Sequence, residues 1–213
     1  MDTLTAGYSP VIEEICAYDW ATLSPDQLSL VAWAYYYFSI QFRENLEVTL
    51  ALLPDDPQLQ KLKAEECDTA NLSPWPGVAA PGEAMNHDEF MARALRLSPI
   101  NAAARHRVER AGELYLKQVR ATDEMSKAMS IASYEGGGLE AIFHAFLRAR
   151  DWNTPLLHAF RHFLTKHIQF DSNPDAGHGA LCAHLVPDDR IRGLWVAFRT
   201  LLIEAVPHLT LAA

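Results

Sequence analysis

Residues 164–179 read LTKHIQFDSNPDAGHG. His167 and Asp171 stand four apart, so on one helix they share a face, one turn from each other. An imidazole nitrogen and a carboxylate oxygen at that spacing can hold one metal ion together. His178 comes eleven residues after His167 and three after Asp175. Eleven residues is close to three helical turns, but Pro174 and Gly177 interrupt a helix, so a bulge or loop is the other way to bring His178 to the same side. A His and an Asp at this spacing, taken alone, are read equally well as a surface hydrogen bond.

Residues upstream shift that balance. Glu135 sits in MSIASYEGGGLEAIF, between apolar residues and ahead of three glycines. A carboxylate in such a setting is costly unless paired, protonated or bound to metal. Consecutive glycines cost a helix about 1 kcal/mol each relative to alanine, which suggests close approach of another backbone or a ligand. The competing reading is that the glycines end a helix and leave Glu135 in its solvated last turn. His87 opens the segment HDEFMARAL and serves either as a ligand or as a helix-start residue. Glu65 and Glu66 in LKAEECD, and Glu44 and Glu47 in FRENLEVTL, are ligand candidates whose ordinary alternative is a solvated charged face. His144, His158 and His162 lie on amphipathic segments without an evident acidic partner and read as structural. So do His184 and His208 near helix ends, and His106 in the basic run RHRVER.

Helices have to position these groups. Ser24-Pro25-Asp26-Gln27 is a helix start, with Ser24 as cap and Pro25 in the first position, and the helix runs to about Leu53, where Pro54-Asp55-Asp56-Pro57 stops it. Further helices are predicted over Gln58–Cys67, His87–Leu97, Asn101–Ser133, Leu139–Arg150, Pro155–Phe170, and from Pro187 to about Pro207. Thr69–Gly82, with Pro74, Pro76, Gly77, Pro81 and Gly82, is the irregular segment. No alternating pattern with hairpin signals is present. The expected fold is all-α, a single-domain bundle of seven to eight helices over residues 1–213, with its site built from side chains facing across the core.

The totals narrow the function classes. A net charge of −9 argues against nucleic acid as a partner, because phosphate binding needs clustered Lys and Arg. Mean hydropathy is −0.08 and no apolar run is long enough for a bilayer, so no membrane partner is expected. The first ten residues carry no secretory pattern. Cys16, Cys67 and Cys182 are three, far apart and outside any C-x-x-C pair, which fits a reducing compartment. A cytoplasmic location follows as the expectation.

The order Glu66, His87, Glu135, then His167-x-x-x-Asp171 with His178 following, resembles the haem-oxygenase-like di-iron oxidases and oxygenases. The likeness covers roughly Leu62 to Leu209. Its most specific parts are Tyr134-Glu135, His167-Ile-Gln-Phe-Asp171 and His178-Gly179, and the tail IRGLWVAFRTLLIEAVPHL is similar to the family's last core helix. The resemblance implies a metal-ligand set of Glu66, His87, Glu135, His167, Asp171 and His178, with Glu44 as an extra carboxylate and Glu135 as the bridge. Asp175 is the alternative to Asp171, and Glu65 or Glu83 the alternative to Glu66. It also implies two Fe(II) ions, O2 as co-substrate, and a small amino-acid-derived or fatty-acid substrate in a biosynthetic pathway. Arg43, Arg148 and Lys166 are candidate anchors for a substrate carboxylate. Homodimerisation is compatible with such a bundle. The contrasting expectation is a non-catalytic helical binding protein whose histidines and carboxylates are core or surface polarity.

Overall fold

The computed structural model describes residues 7–171 and 177–212; the side chain of Asp171 lies outside the described residues, as does Asp175. Among the described residues there are ten α-helical segments: α1 (Ser9–Cys16), α2 (Pro25–Leu52), α3 (Pro57–Glu66), α4 (His87–Ala94), α5 (Ala102–Arg120), α6 (Glu124–Ser133), α7 (Leu139–Phe146), α8 (Pro155–Asp171), α9 (His178–Cys182) and α10 (Arg192–Ala205). No strand forms among them, only the isolated bridges Tyr18–Leu211, Thr69–Met85 and Trp75–Ala79. No helix is long and apolar enough to cross a membrane.

The expected all-α bundle is therefore observed, with more segments than the seven or eight predicted. One reason is a break inside 101–133. Asp123 accepts a hydrogen bond from the Ser126 amide at 2.9 Å, so it caps a new helix where the apolar pattern alone reads as continuous. The short α1 and α9 account for the rest.

α2 is the axis of the molecule. Its predicted start is present in full: Ser24 Oγ accepts from the Gln27 amide and Gln27 Oε1 from the Ser24 amide, a reciprocal cap. Over 28 residues it reaches α3, α4, α5, α6, α8 and α10. Phe38, fully buried at its middle, packs on Phe198 of α10 (4.4 Å between ring centroids), Tyr134 (5.0 Å) and Tyr35 (5.6 Å). Buried apolar residues from Val11 to Val206 form one continuous core.

The proline-rich loop after α3 is irregular, as expected, but docked. Thr69 and Met85 exchange backbone hydrogen bonds at its neck. Trp75 stacks on His162 of α8 at 4.4 Å, and His162 Nε2 donates to the Leu72 carbonyl at 3.0 Å. The loop is thereby fixed against the helix that carries His167.

Candidate metal centre

Two of the groups singled out sit where an apolar stripe ends in a polar residue. Leu59, Leu62 and Glu66 share the inner face of α3, so Glu66 continues a buried row. Phe160, Phe163, Leu164 and His167 do the same on α8. His87 and His178 are the first residues of α4 and α9. Glu135 lies in a π-helical turn, Tyr134–Gly138, between α6 and α7. Such turns displace side chains from the regular helical register and recur at functional sites.

These elements bring Glu66, His87, Glu135, His167 and His178 together, each at most 7% exposed. His87 Nδ1 is 2.7 Å from Glu66 Oε2 and 2.9 Å from His167 Nε2. Glu66, His87 and His167 each offer a donor atom within 4.8 Å of the others, the spacing of a metal-ligand set. The other oxygen, Glu66 Oε1, lies 4.0 Å from His167 Nε2 and 3.2 Å from His178 Nδ1, which is itself 3.2 Å from Glu135 Oε2. Glu66 is thus the carboxylate with one oxygen beside His87 and the other beside His178, the intermediate place that the resemblance gives to Glu135.

Hydrogen bonds on the far side of two rings fix which atoms face inward. His167 Nδ1 donates to the Phe163 carbonyl at 2.8 Å, so its Nε2 presents a lone pair. His87 Nε2 donates to Asn71 Oδ1 at 3.0 Å, so its Nδ1 does the same. Two lone pairs and a carboxylate oxygen thus point at one another within bonding range, and only a cation between them makes the arrangement favourable. A proton on His87 Nδ1 can fill that role, and a metal ion can replace it. Glu66 Oε1, though buried, has no aligned hydrogen-bond donor among the described residues. That is the condition of an atom awaiting a ligand ion.

The protonation preferences agree. Burial alone would raise the Glu66 carboxyl, but positive charge and a hydrogen bond at His87, with His178 and His167 beyond, bring it down to about 2. Burial, reinforced by charge at His87, lowers His167 to about 3, so it is a neutral ring. Burial pushes the Glu135 carboxyl up, opposed by its hydrogen bond to His178. The set offers an anionic carboxylate, neutral imidazole and a second carboxylate that ionises readily only beside added positive charge. That donor chemistry fits a divalent transition metal.

The glycines make the approach feasible. A Cβ on Gly179 would lie 2.8 Å from the Glu135 carbonyl oxygen, and one on Gly138 2.9 Å from the Trp195 ring. Gly137 has φ +100°, which a side chain would strain. The close approach expected from the glycine run is real, and Gly179 is the residue across the gap.

Other expectations are corrected or fall elsewhere. Glu44 is not at the cluster: both its oxygens are held by Arg120, at 2.6 and 2.8 Å, on the outer side of α2. The α2 stripe faces the core with Gln41 and Asn45, which turns Glu44 outward. Glu83 pairs with Arg93 away from the site. Glu65 touches the cluster from outside, 3.1 Å from His178 Nε2 and 37% exposed. Asp171 ends α8, one turn beyond His167, but its side chain and Asp175 lie outside the described residues. His144 and His184 do have acidic partners, Glu140 at 3.6 Å and Asp56 at 2.7 Å. Sequence reasoning missed Asn71, since nothing in the run TANLSP marks a side chain that reaches across a loop.

A cavity of about 20 Å³ adjoins the cluster, bounded by Glu66, His87, Glu135 and His167 on one side and by Tyr35, Ser39 and Phe42 on the other. Arg43 and Asp88 complete its wall, joined at 3.0 Å. Comparison of the chain with protein-family models, with curated proteins and with solved structures finds no match.

Proposed function

We propose that this chain is a non-haem di-iron oxidase or oxygenase of the haem-oxygenase-like kind, using O2 to oxidise a small organic substrate. The observation that carries the reading is the convergence of Glu66 Oε2 and His167 Nε2 on His87 Nδ1, at 2.7 and 2.9 Å, with Glu66 Oε1 and Glu135 Oε2 both 3.2 Å from His178 Nδ1. Glu66, His87 and His167 would hold one ion, and Glu66, Glu135 and His178 the other. Ferrous iron, when bound, supplies the electrons that reduce dioxygen.

The chain's own residues do the rest. Glu66 carries the negative charge that draws a dication into the core. The Phe163 carbonyl and Asn71 orient two of the imidazoles, as outer hydrogen bonds do at metal sites. Tyr35, Phe42, Leu139 and Phe163 keep the adjoining space apolar. At about 20 Å³ that space takes one water-sized molecule. An organic substrate therefore enters only if the wall opens, and the Arg43–Asp88 pair is its polar, partly exposed part, at 28% and 13%. Of Arg43, Arg148 and Lys166, Arg43 alone lines the cavity. A substrate carboxylate that enters there meets Arg43.

Anaerobic loading tests the reading. The chain should bind about two equivalents of Fe(II), consume O2 on mixing, and lose both properties in His167→Ala. Binding well under one equivalent, with His167→Ala indistinguishable from wild type, would instead favour a non-catalytic binding protein.

A further inference from the structure

A histidine meets a metal through the nitrogen that its other hydrogen bond leaves free. At His87 that other bond runs to Asn71, a half-buried residue of the docked loop. The amide cannot be reversed without loss. Asn71 Nδ2 donates to the Glu65 carbonyl at 2.7 Å, and a carbonyl can only accept. Oδ1 therefore faces His87 Nε2, at 3.0 Å, and it too can only accept. Nε2 must carry the hydrogen, and Nδ1 is left facing Glu66 Oε2 and His167 Nε2.

We propose that Asn71 is a positioning residue that selects Nδ1 of His87 as the metal-binding nitrogen and holds that ring in register with Glu66. The inference rests on the metal reading above. Its second part follows from the same two bonds. The Glu65 carbonyl belongs to the peptide that leads into Glu66, so one side chain ties the backbone of one ligand to the ring of the other. The loop can bear this role because it is fixed at both ends. Thr69 pairs with Met85 at the neck, and Trp75 and Leu72 are held by His162 of α8. α3, α4 and α8, which carry Glu66, His87 and His167, are thus braced through one loop.

Two substitutions separate the role from simple loop stability. Asn71→Ala removes the acceptor and the donor; Asn71→Asp keeps an acceptor for His87 Nε2. Nitrogen-15 histidine spectra of the zinc-loaded chain, and of the metal-free chain at pH 9, report which nitrogen carries hydrogen. Cobalt(II) titration followed by visible absorption reports affinity. Wild type should show His87 protonated at Nε2 and metallated at Nδ1. Asn71→Ala should mix the two forms and weaken cobalt binding by ~10–100-fold, while Asn71→Asp, which keeps the acceptor for His87 but loses the donor to the Glu65 carbonyl, should retain Nδ1 ligation and bind cobalt more weakly than wild type.

Unchanged affinity and unchanged Nδ1 ligation in Asn71→Ala overturn the proposal. So does an Asn71→Asp chain in which His87 ligation is as mixed as in Asn71→Ala, which would make the loop's integrity the cause. If wild type binds neither zinc nor cobalt, the metal reading fails and the ligating role with it. The metal-free spectra then decide the remaining part, and His87 protonated at Nδ1 in wild type overturns that too.

Discussion

Gly179→Ala should destabilise the protein and impair the site, while Gly136→Ala, the same chemical change three residues after Ser133, should do neither. Gly136 lies in the π turn and Gly179 packs against it from α9, and alanine ordinarily favours a helix over glycine by about 1 kcal/mol. At position 179 the added methyl would lie 2.8 Å from the Glu135 carbonyl oxygen, with ordinary contact beginning near 3.4 Å. The obstacle is backbone, so α9 must retreat by about 0.6 Å. Overpacking of that kind costs about 1–3 kcal/mol, which leaves a net loss of about 1 kcal/mol after the propensity gain. For a chain of this length that is a Tm lower by about 2–4 °C. The neighbouring His178 retreats with α9, and its Nδ1 now stands 3.2 Å from both Glu66 and Glu135. Metal sites tolerate displacements of about 0.5 Å, so cobalt affinity in that half should fall about tenfold. At position 136, φ is −75° and nothing lies within 4 Å of the added methyl. Gly136→Ala should therefore match wild type or gain up to about 1 kcal/mol. Thermal melts by circular dichroism and cobalt titrations of both variants check the pair. Equal behaviour of the two, or a Gly179→Ala chain as stable and as metal-competent as wild type, would refute the close packing of α9 on the π turn.

Acid should weaken the metal-free protein in two stages. His167, held at about 3 by burial and charge at His87, takes up a proton in the unfolded chain below its ordinary value near 6.5 but not in the folded one, so stability falls as pH drops from about 6.5 towards 3. Glu66, held at about 2 against burial by the charge of His87, adds a loss between its ordinary value near 4.5 and about 2. Glu135, raised by burial, has the opposite sign: it gains a proton in the folded chain above its ordinary value near 4.5, so it opposes part of the first stage and leaves the second untouched. Tm measured with chelator at pH 7 and pH 5 tests the first stage, and an equal or higher value at pH 5 contradicts it. Glu44→Gln should leave the iron stoichiometry untouched and cost under about 1 kcal/mol, since it loses only a partly exposed pairing with Arg120. A halved stoichiometry would return Glu44 to the ligand set.

Much of the architecture was legible because its signals are local. Ser24-Pro25 and Gln27 define the start of α2 within four residues, and Pro54 to Pro57 stop it, as observed. The break at Asp123 was missed because a cap inside a continuous apolar pattern competes with that pattern. At the site, Glu135 stands out by apolar context and His167 and His178 by spacing, while Glu66 and His87 come from the resemblance, with a solvated face and a helix start as their alternatives; the structure buries all five. Apolar context indicates burial, and burial of such groups implies partners. Glu44 went wrong for the complementary reason: its neighbours along α2 are buried, but it lies on the helix's outer face, where Arg120 waits. What the chain could not reveal is division of labour. Which carboxylate stands between the halves depends on the end of α3 meeting α9, and which nitrogen of His87 faces inward depends on Asn71, sixteen residues away across a loop.

The same core shows how polar groups are buried when nothing is meant to bind them. Asn45 donates to Ser130, Thr49 and Ser130 donate to carbonyls of the preceding turns, and Trp195 donates to Ser133, while Gln41 Nε2 has no partner among the described residues. Those bonds run outward from each group to a fixed acceptor. Around Glu66 the direction is reversed. The outer bonds from Asn71 and Phe163 take the one hydrogen of each neutral ring, so the inner face of His87 and His167 holds acceptors aimed at acceptors until a cation, whether a proton on His87 Nδ1 or a metal ion, lies between them. Glu66 Oε1 and Asp88 Oδ1, in the walls of one cavity, have no hydrogen-bond donor among the described residues. A core selected only for stability loses by such an arrangement, because each unsatisfied buried group costs about 1–3 kcal/mol. A core that must hold a cation gains from it, since every acceptor left without hydrogen is a donor atom for the metal. That asymmetry, more than the identity of any one residue, separates a binding centre from polar filler.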